Sequence, residues 1–261
     1  EVLKAVLMAS ANHLDENADD GTWSNEPSDS GSDRGMTSRP LDAVQGAGQI
    51  DVNRSHLVMS GGRITGGVSP ATTPDAPFNG WDWAYCLQGN TRTWNFTIGG
   101  RVDEVSVVAA WSRQVPLGFS TNWTLGDFAL ELTRLDVDGN PVSIVGSGPE
   151  IFESGNVMSD SAVDNVEHLY IRGLAAGDYQ LRLTLVGGGG ASNARAGVAW
   201  YFSDPEIVDI PGDINSDGVV NVDDLLQLLS EFGNCNGDCA SDLDGDGDSD
   251  VNDLLELLSY M

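Results

Sequence analysis

The segment Asp213-Ile-Asn-Ser-Asp-Gly-Val-Val-Asn-Val-Asp-Asp-Leu-Leu-Gln-Leu-Leu recurs 29 residues later as Asp242-Leu-Asp-Gly-Asp-Gly-Asp-Ser-Asp-Val-Asn-Asp-Leu-Leu-Glu-Leu-Leu. Repetition of this kind makes each copy one structural unit, here an acidic loop that feeds an apolar helix. The spacing is that of twelve-residue calcium loops, with oxygen ligands at positions 1, 3, 5, 7, 9 and 12 and a glycine at 6 for the sharp turn. In the first copy the ligands are Asp213, Asn215, Asp217, the carbonyl of Val219, Asn221 and Asp224, with Gly218 at the turn. In the second they are Asp242, Asp244, Asp246, the carbonyl of Asp248, Asp250 and Asp253, with Gly247 at the turn. A chain that wraps an ion turns the intervening side chains, such as Ile214 and Leu243, away from it. A solvated Asp-rich loop would account for the charge, but not for two in-register copies with glycine at the same place. Two Ca2+ ions are therefore expected.

The charge agrees with that reading. The 261 residues carry 40 Asp and Glu against 12 Lys and Arg, a net charge of −28, and such a surface as a whole repels nucleic-acid phosphates and anionic lipid. Arg195 is the last basic residue, and sixteen acidic groups follow it between Asp204 and Glu256. A small segment so charged needs bound cations and lacks the core to fold without a staple. No run of about 18 apolar residues occurs, so no membrane-spanning segment is expected. Cys235 and Cys239 flank a Gly-containing turn that a local disulfide would suit in a secreted protein, while Cys86 stands alone. No histidine follows His168, which argues against zinc in the tail.

Between about 75 and 204 the patterning has period two. Trp94, Phe96 and Ile98 share a face, as do Val105, Val107, Ala109 and Trp111; Tyr179, Leu181, Leu183 and Leu185; and Val198, Trp200 and Phe202. Short alternating strands with Gly-rich turns predict an antiparallel β-sandwich. Trp94, Trp111 and Trp200 are in phase with the apolar face and are expected in the core. Trp81, Trp83 and Trp123, in turn-rich segments, are the candidates for an exposed aromatic platform that could stack on sugar rings.

The amino-terminal part opens with a helical apolar run, Val2 to Ala11, followed by a polar stretch from Asp15 to Arg39 that reads as a long loop. A short helix is expected near Asn53 to Met59, and Gly61 to Pro77 reads as a linker. Val2-Leu3-Lys4-Ala5-Val6-Leu7-Met8-Ala9-Ser10-Ala11 and Gly46-Ala47-Gly48-Gln49-Ile50-Asp51-Val52 together resemble the closing helix and strand of a subtilisin-like serine peptidase domain. The family's nucleophile, histidine and aspartate motifs are absent. His13, His56 and His168 are therefore expected to be surface or hydrogen-bonded structural residues, and the chain itself is expected not to hydrolyse peptides although a parent protein would be a serine endopeptidase.

The tail, from about 211 to 261, resembles a type I dockerin, with paired EF-hand-like loops ending in Asp and each followed by a short helix. That resemblance implies docking to a cohesin-like or other surface protein and a fold that requires calcium. The family's recognition positions fall on Val222-Asp223 and Val251-Asn252, which departs from the Ser-Thr pair of its best-known members. The leucines Leu225, Leu226, Leu228, Leu229, Leu254, Leu255, Leu257 and Leu258 are expected in the core. Leu174-Ala175-Ala176-Gly177-Asp178-Tyr179-Gln180-Leu181 resembles a turn of the pre-peptidase carboxy-terminal-like sandwiches behind secreted peptidases, which implies a spacer role.

The expected architecture is thus mixed and multi-domain. It comprises an α/β peptidase-domain remnant plus linker (1–68), an antiparallel β-sandwich (69–205) and a small all-α calcium-binding dockerin-like domain (206–261). The expected function is calcium-dependent protein docking in an extracellular, secreted or cell-surface, setting linked to polysaccharide catabolism. A carbohydrate-binding sandwich, or part of an active peptidase completed upstream, are the alternatives, with a peptide or glycan substrate. No nucleic-acid or membrane partner is expected.

Overall fold

The computed structural model describes residues 1–13, 23–113, 124–187, 191–206, 211–215, 220–233 and 239–261. Asp217, Val219, Trp123 and Cys235 lie outside them. The described chain divides into two units, Glu1–Pro205 and Glu206–Met261.

The first unit is built on strands β1 (Met36–Thr37), β2 (Asn79–Leu87), β3 (Thr91–Ile98), β4 (Arg101–Trp111), β5 (Asp127–Leu135), β6 (Pro141–Ser143), β7 (Ser154–Gly155), β8 (Met158–Asp160), β9 (Val166–Leu174), β10 (Gly177–Gly187) and β11 (Asn193–Phe202). One sheet runs β1-β8-β5-β10-β3 with β6 beside β5, and the other runs β2-β11-β4-β9-β7. The long pairings are antiparallel, and register brings Leu181 opposite both Trp94 and Leu132. The alternation in the sequence is the cause: one face of each strand is apolar and meets the facing sheet. Trp94, Phe96, Trp111, Phe128, Trp200 and Phe202 fill the space between the sheets. Each buried indole N–H finds a carbonyl: Trp94 donates to Ile64 O at 2.8 Å, Trp111 to Gly126 O at 2.7 Å and Trp200 to Pro77 O at 2.9 Å. Without those acceptors, burial of three tryptophans would be costly.

The turn at Gly177 crosses from one sheet to the other, because β9 and β10 belong to different sheets. Its φ of +147° requires glycine. Tyr179 Oη closes the corner on Ala175 O at 2.9 Å.

A further layer covers the outer face of the second sheet. Helices α1 (Val2–Ala9) and α2 (Val52–Ser60) bury Ala5, Val6, Ala9 and Val58 against Val108, Ala110, Val166 and Ala199. Asp51 caps α2 by accepting from Arg54 N at 2.9 Å. Gly61 to Pro77, read from the sequence as a linker, is laid along the sheets: Ile64 N donates to Trp81 O and Gly67 N to Thr93 O, both at 2.9 Å. Within the polar stretch, Trp23, Asn25 and Thr37 are likewise packed down. Trp23 is buried and donates to Gly46 O at 2.9 Å, and β1 pairs in parallel with β8.

Gly197 on β11 lets α1 approach, since a Cβ there would lie 2.4 Å from Val2 N and 2.5 Å from Glu1 C. Gly197→Ala is expected to destabilise this unit by about 1–3 kcal/mol through overpacking. A lower midpoint in tryptophan-monitored thermal unfolding checks this, and an unchanged midpoint would show that α1 does not sit there.

The second unit holds helices α3 (Val222–Glu231) and α4 (Val251–Tyr260). Among the described residues its core is small: Ile214, Leu228 and Leu257, with Val220, Leu225, Leu243 and Leu254 partly buried around them.

Candidate functional site

Each tail helix begins where its acidic loop ends. Asn221 caps α3 and Asp250 caps α4, and the third helical residue, Asp224 or Asp253, reaches back to the cap backbone. These are capping boxes in which Asp replaces the usual Glu or Gln. The same two aspartates also hold the start of the loop. Asp224 accepts from Asn221 N at 2.8 Å and Asn215 N at 3.1 Å. Asp253 accepts from Asp250 N at 2.7 Å, Leu243 N at 2.8 Å and Asp244 N at 3.2 Å. Burial alone would raise both carboxyls, but these backbone donors hold them below the ordinary aspartate value. The short Asp at position 12 thus ties both ends of its loop to the helix start.

In the second loop Asp242 accepts from Gly245 N and Gly247 N at 2.9 and 3.0 Å, and Asp244 from Asp246 N at 3.1 Å. Gly247 takes a φ of +98°, as the sharp turn demands. Carboxylate oxygens of Asp242, Asp244 and Asp246 lie within 4.8 Å of one another, and so do those of Asp248, Asp250 and Asp253. The Asp248 side chain joins the second trio, whereas the sequence spacing points to its carbonyl. Its carboxyl is pushed up, chiefly by the charge on Asp246. Crowded carboxylates of this kind could hold a hard cation, whose charge would replace their mutual repulsion. In the first loop Asp213, Asn215, Asn221 and Asp224 are described, while Asp217 and Val219 are not. Cys239 is disulfide-bonded.

The leucines correct the sequence expectation. Only Leu228 and Leu257 are fully buried. Val222, Leu226 and Leu229 are exposed, and so are their counterparts 29 residues on, Val251, Leu255 and Leu258, all between 50 and 64%. Helical geometry explains this, because four leucines in five positions cannot all face one side.

In the first unit the three histidines divide. His13 and His168 are buried, with ring centroids 5.2 Å apart, and His13 stacks on Tyr170 at 4.2 Å. His13 Nδ1 meets Glu104 Oε1 at 3.2 Å, and Arg54 Nη1 binds the same carboxylate at 3.0 and 3.1 Å. Burial pushes His13 down despite Glu104. Burial would raise Glu104, but His13 and Arg54 hold it below its usual range. His168, pushed well down by burial and by His13, lies 3.0 Å from Ser106 Oγ. Both members of that pair are fully buried, and among the described residues no carboxylate meets His168 Nδ1. His56 lies on α2 beside Ser60. Glu167, buried between Ser159 and Ser161, is raised by burial to about 8.

Trp81 and Trp83 are not in a turn but on β2. Trp81 is partly buried against the helical layer and donates to Met59 O at 3.3 Å, which takes it out of the expected exposed platform. Trp83 faces outward with Tyr85. Trp83 is 40% and Tyr85 37% exposed, and the guanidinium of Arg195 stacks over their rings at 4.4 and 5.1 Å.

No family model matches the chain, and no curated protein does. Among solved structures it is similar to a glycoside hydrolase family 43 arabinoxylan arabinofuranohydrolase from Bacillus subtilis, at 16% identity and a TM-score of 0.26, over 47% of this chain and 21% of that one. It is also similar to a carbohydrate-binding module, CBM36, in complex with calcium and xylotriose, at 18% identity and a TM-score of 0.23, over 54% of this chain and 89% of that one. A third is CsCBM6-3 from Clostridium stercorarium with cellobiose, at 14% identity and a TM-score of 0.23, over 46% of this chain and 70% of that one. The chain spans about a fifth of the arabinofuranohydrolase, and likeness at these scores says nothing of its ligands. No described helix is long and apolar enough to cross a membrane.

Proposed function

We propose that the unit Glu206–Met261 is a calcium-dependent protein-docking module of the dockerin kind, carried outside the cell behind a β-sandwich unit. The observation that supports docking is the duplicated apolar stripe, Val222-Leu226-Leu229 and Val251-Leu255-Leu258, left exposed where each acidic loop passes into its helix. Valines at the family's recognition position give an apolar contact in place of a hydroxyl pair. One Ca2+ per loop would be held by Asp213, Asn215, Asp217, Val219 O, Asn221 and Asp224, and by Asp242, Asp244, Asp246, Asp248, Asp250 and Asp253. The ion supplies the positive charge that lets these oxygens converge, and the two position-12 aspartates pass that order on to the helices.

The test is binding of the calcium-loaded chain to a panel of cohesins by surface plasmon resonance. Val222→Asp with Val251→Asp is expected to weaken binding at least tenfold, since buried charge in an apolar contact costs more than about 1.4 kcal/mol. A folded, calcium-loaded chain that binds none of the panel would remove the docking reading.

A second reading, glycan binding by the sandwich, is favoured by one observation: Trp83 and Tyr85 stand exposed side by side on β2. Such rings offer a flat apolar face to a sugar.

A further inference from the structure

Arg195 is an exposed guanidinium in a chain with 40 Asp and Glu, yet among the described residues its contacts are the two rings of Trp83 and Tyr85 and no ion pair. Other arginines of this unit are engaged: Arg54 with Glu104, Arg63 with Asp82, Arg101 with Glu153, and Arg39 with Glu26. Arg63 and Arg92 flank the same strand. Arg63 Nε donates to Asp82 at 2.9 Å, and Arg92 donates to Tyr85 O at 2.9 Å and Gly66 O at 3.0 Å. The Asp82 carboxylate is buried and taken up by Arg63, Gly66 N and Trp83 N. Glu1 accepts from Trp83 Nε1 at 3.1 Å. Asp82 offsets Arg63 and the Glu1 carboxylate stands at Trp83, so the cation that lies over the two exposed rings is Arg195.

Stacking fixes the plane of a guanidinium and leaves its N–H fork free for an anion, with part of the rotamer entropy of the long side chain already spent. An acidic peptide would ordinarily add as a strand to the edge of a sheet. The edge of β2 is closed to that: Trp81 N and O are bonded to Gly62 O and Ile64 N, and Arg92 takes Tyr85 O. What is left open is the outward face, rings and fork together. We propose that Trp83, Tyr85 and Arg195 bind an anionic polysaccharide, the rings taking the apolar face of a sugar and Arg195 the carboxylate or sulfate that the sugar carries. This deepens the glycan reading and rests on it. A carboxylate or sulfate pairs with the fork through two parallel hydrogen bonds.

The experiment is calorimetric titration of the intact, calcium-loaded chain with trigalacturonate, a sulfated disaccharide, xylotriose and triglutamate. The expected result is binding of one or both anionic sugars at least tenfold tighter than xylotriose and triglutamate, lost tenfold or more in Arg195→Gln and in Trp83→Ala. Arg39→Gln, a remote exposed arginine, should leave it unchanged. Xylotriose bound as tightly as the acidic sugars, with Arg195→Gln silent, would overturn the anionic assignment and keep the glycan reading. Binding of no sugar would overturn both. Triglutamate bound as tightly as trigalacturonate would overturn the sugar assignment.

Discussion

Chelating calcium from the intact chain is expected to melt the tail while leaving the sandwich folded. Among the described residues the unit Glu206–Met261 buries three apolar side chains, and a core of that size supplies at best about 3–5 kcal/mol. Against it stand the fifteen acidic groups of this unit, with no basic residue after Arg195. An ion present at about a hundred times its Kd adds about 2.7 kcal/mol per site, so two ions outweigh what the core alone can offer. The loops are also joined to the helices through Asp224 and Asp253, so losing the ion loosens both capping boxes at once. Helices α3 and α4 hold more than half of the α-helical residues described. Far-ultraviolet circular dichroism should therefore lose most of its helical component on chelation and regain it when calcium is restored. All seven tryptophans precede the tail, so near-ultraviolet dichroism and tryptophan fluorescence should not change. A tail that keeps its helices in excess chelator would refute calcium-dependent folding.

The second large effect is expected at Arg54. Its guanidinium binds a Glu104 carboxylate whose side chain is 7% exposed, while its own is 23% exposed. Removing one partner of a buried pair costs about 3–5 kcal/mol. Because Arg54 keeps some water, about 2–4 kcal/mol is expected for Arg54→Ala, near 2–4 °C in midpoint per kcal/mol for a unit of this size. The pH dependence gives a separate readout. His13 has a lowered pKa, so its protonation penalises the folded parent as pH falls below the unfolded value of 6.5. Glu104 has a lowered pKa, so its stabilisation is present above 4.5 and lost as pH falls through its folded value. In the variant the repulsion of Arg54 on His13 is gone and Glu104 lacks its cation. Protonated His13 then becomes the substitute partner. The gap between parent and variant should narrow from pH 7.5 to 6. Glu167, raised to about 8, destabilises both as pH rises through the range from 4.5 to 8 and cancels in that difference. A gap that widens on acidification would contradict the ion-pair account.

Much of the sandwich is legible in the sequence because its facing residues alternate: Trp94, Phe96 and Ile98, or Tyr179, Leu181, Leu183 and Leu185, announce one buried face. The third layer is harder to see. Its signal is that Val108 and Ala110, between the inward residues of β4, are apolar too, so that β4 reads as a continuous run buried on both sides. Such a run says that something covers the second face but not that α1 and α2 do, since those partners lie about a hundred and about fifty residues away. The acidic loops are legible because their repeat and spacing are written in the sequence, and the second brings its carboxylates together as that spacing leads one to expect. The double role of Asp224 and Asp253 is not, because a capping box is usually written with Glu or Gln. Leucines in the tail mislead for a different reason: a Leu-Leu-x-Leu-Leu pattern fits either a wide core or a narrow core with an exposed apolar face, and only the small size of the unit decides between them. Arg195 is invisible as a site in the sequence, because its rings belong to a strand more than a hundred residues earlier.

The most direct measurement is calorimetric titration of calcium into the chelator-stripped full chain. Two ions per chain are expected, falling to one in Asp224→Ala and to one in Asp253→Ala, with helical signal returning in step with binding. No bound calcium, or a stoichiometry that neither variant alters, would contradict the assignment of one ion to each loop.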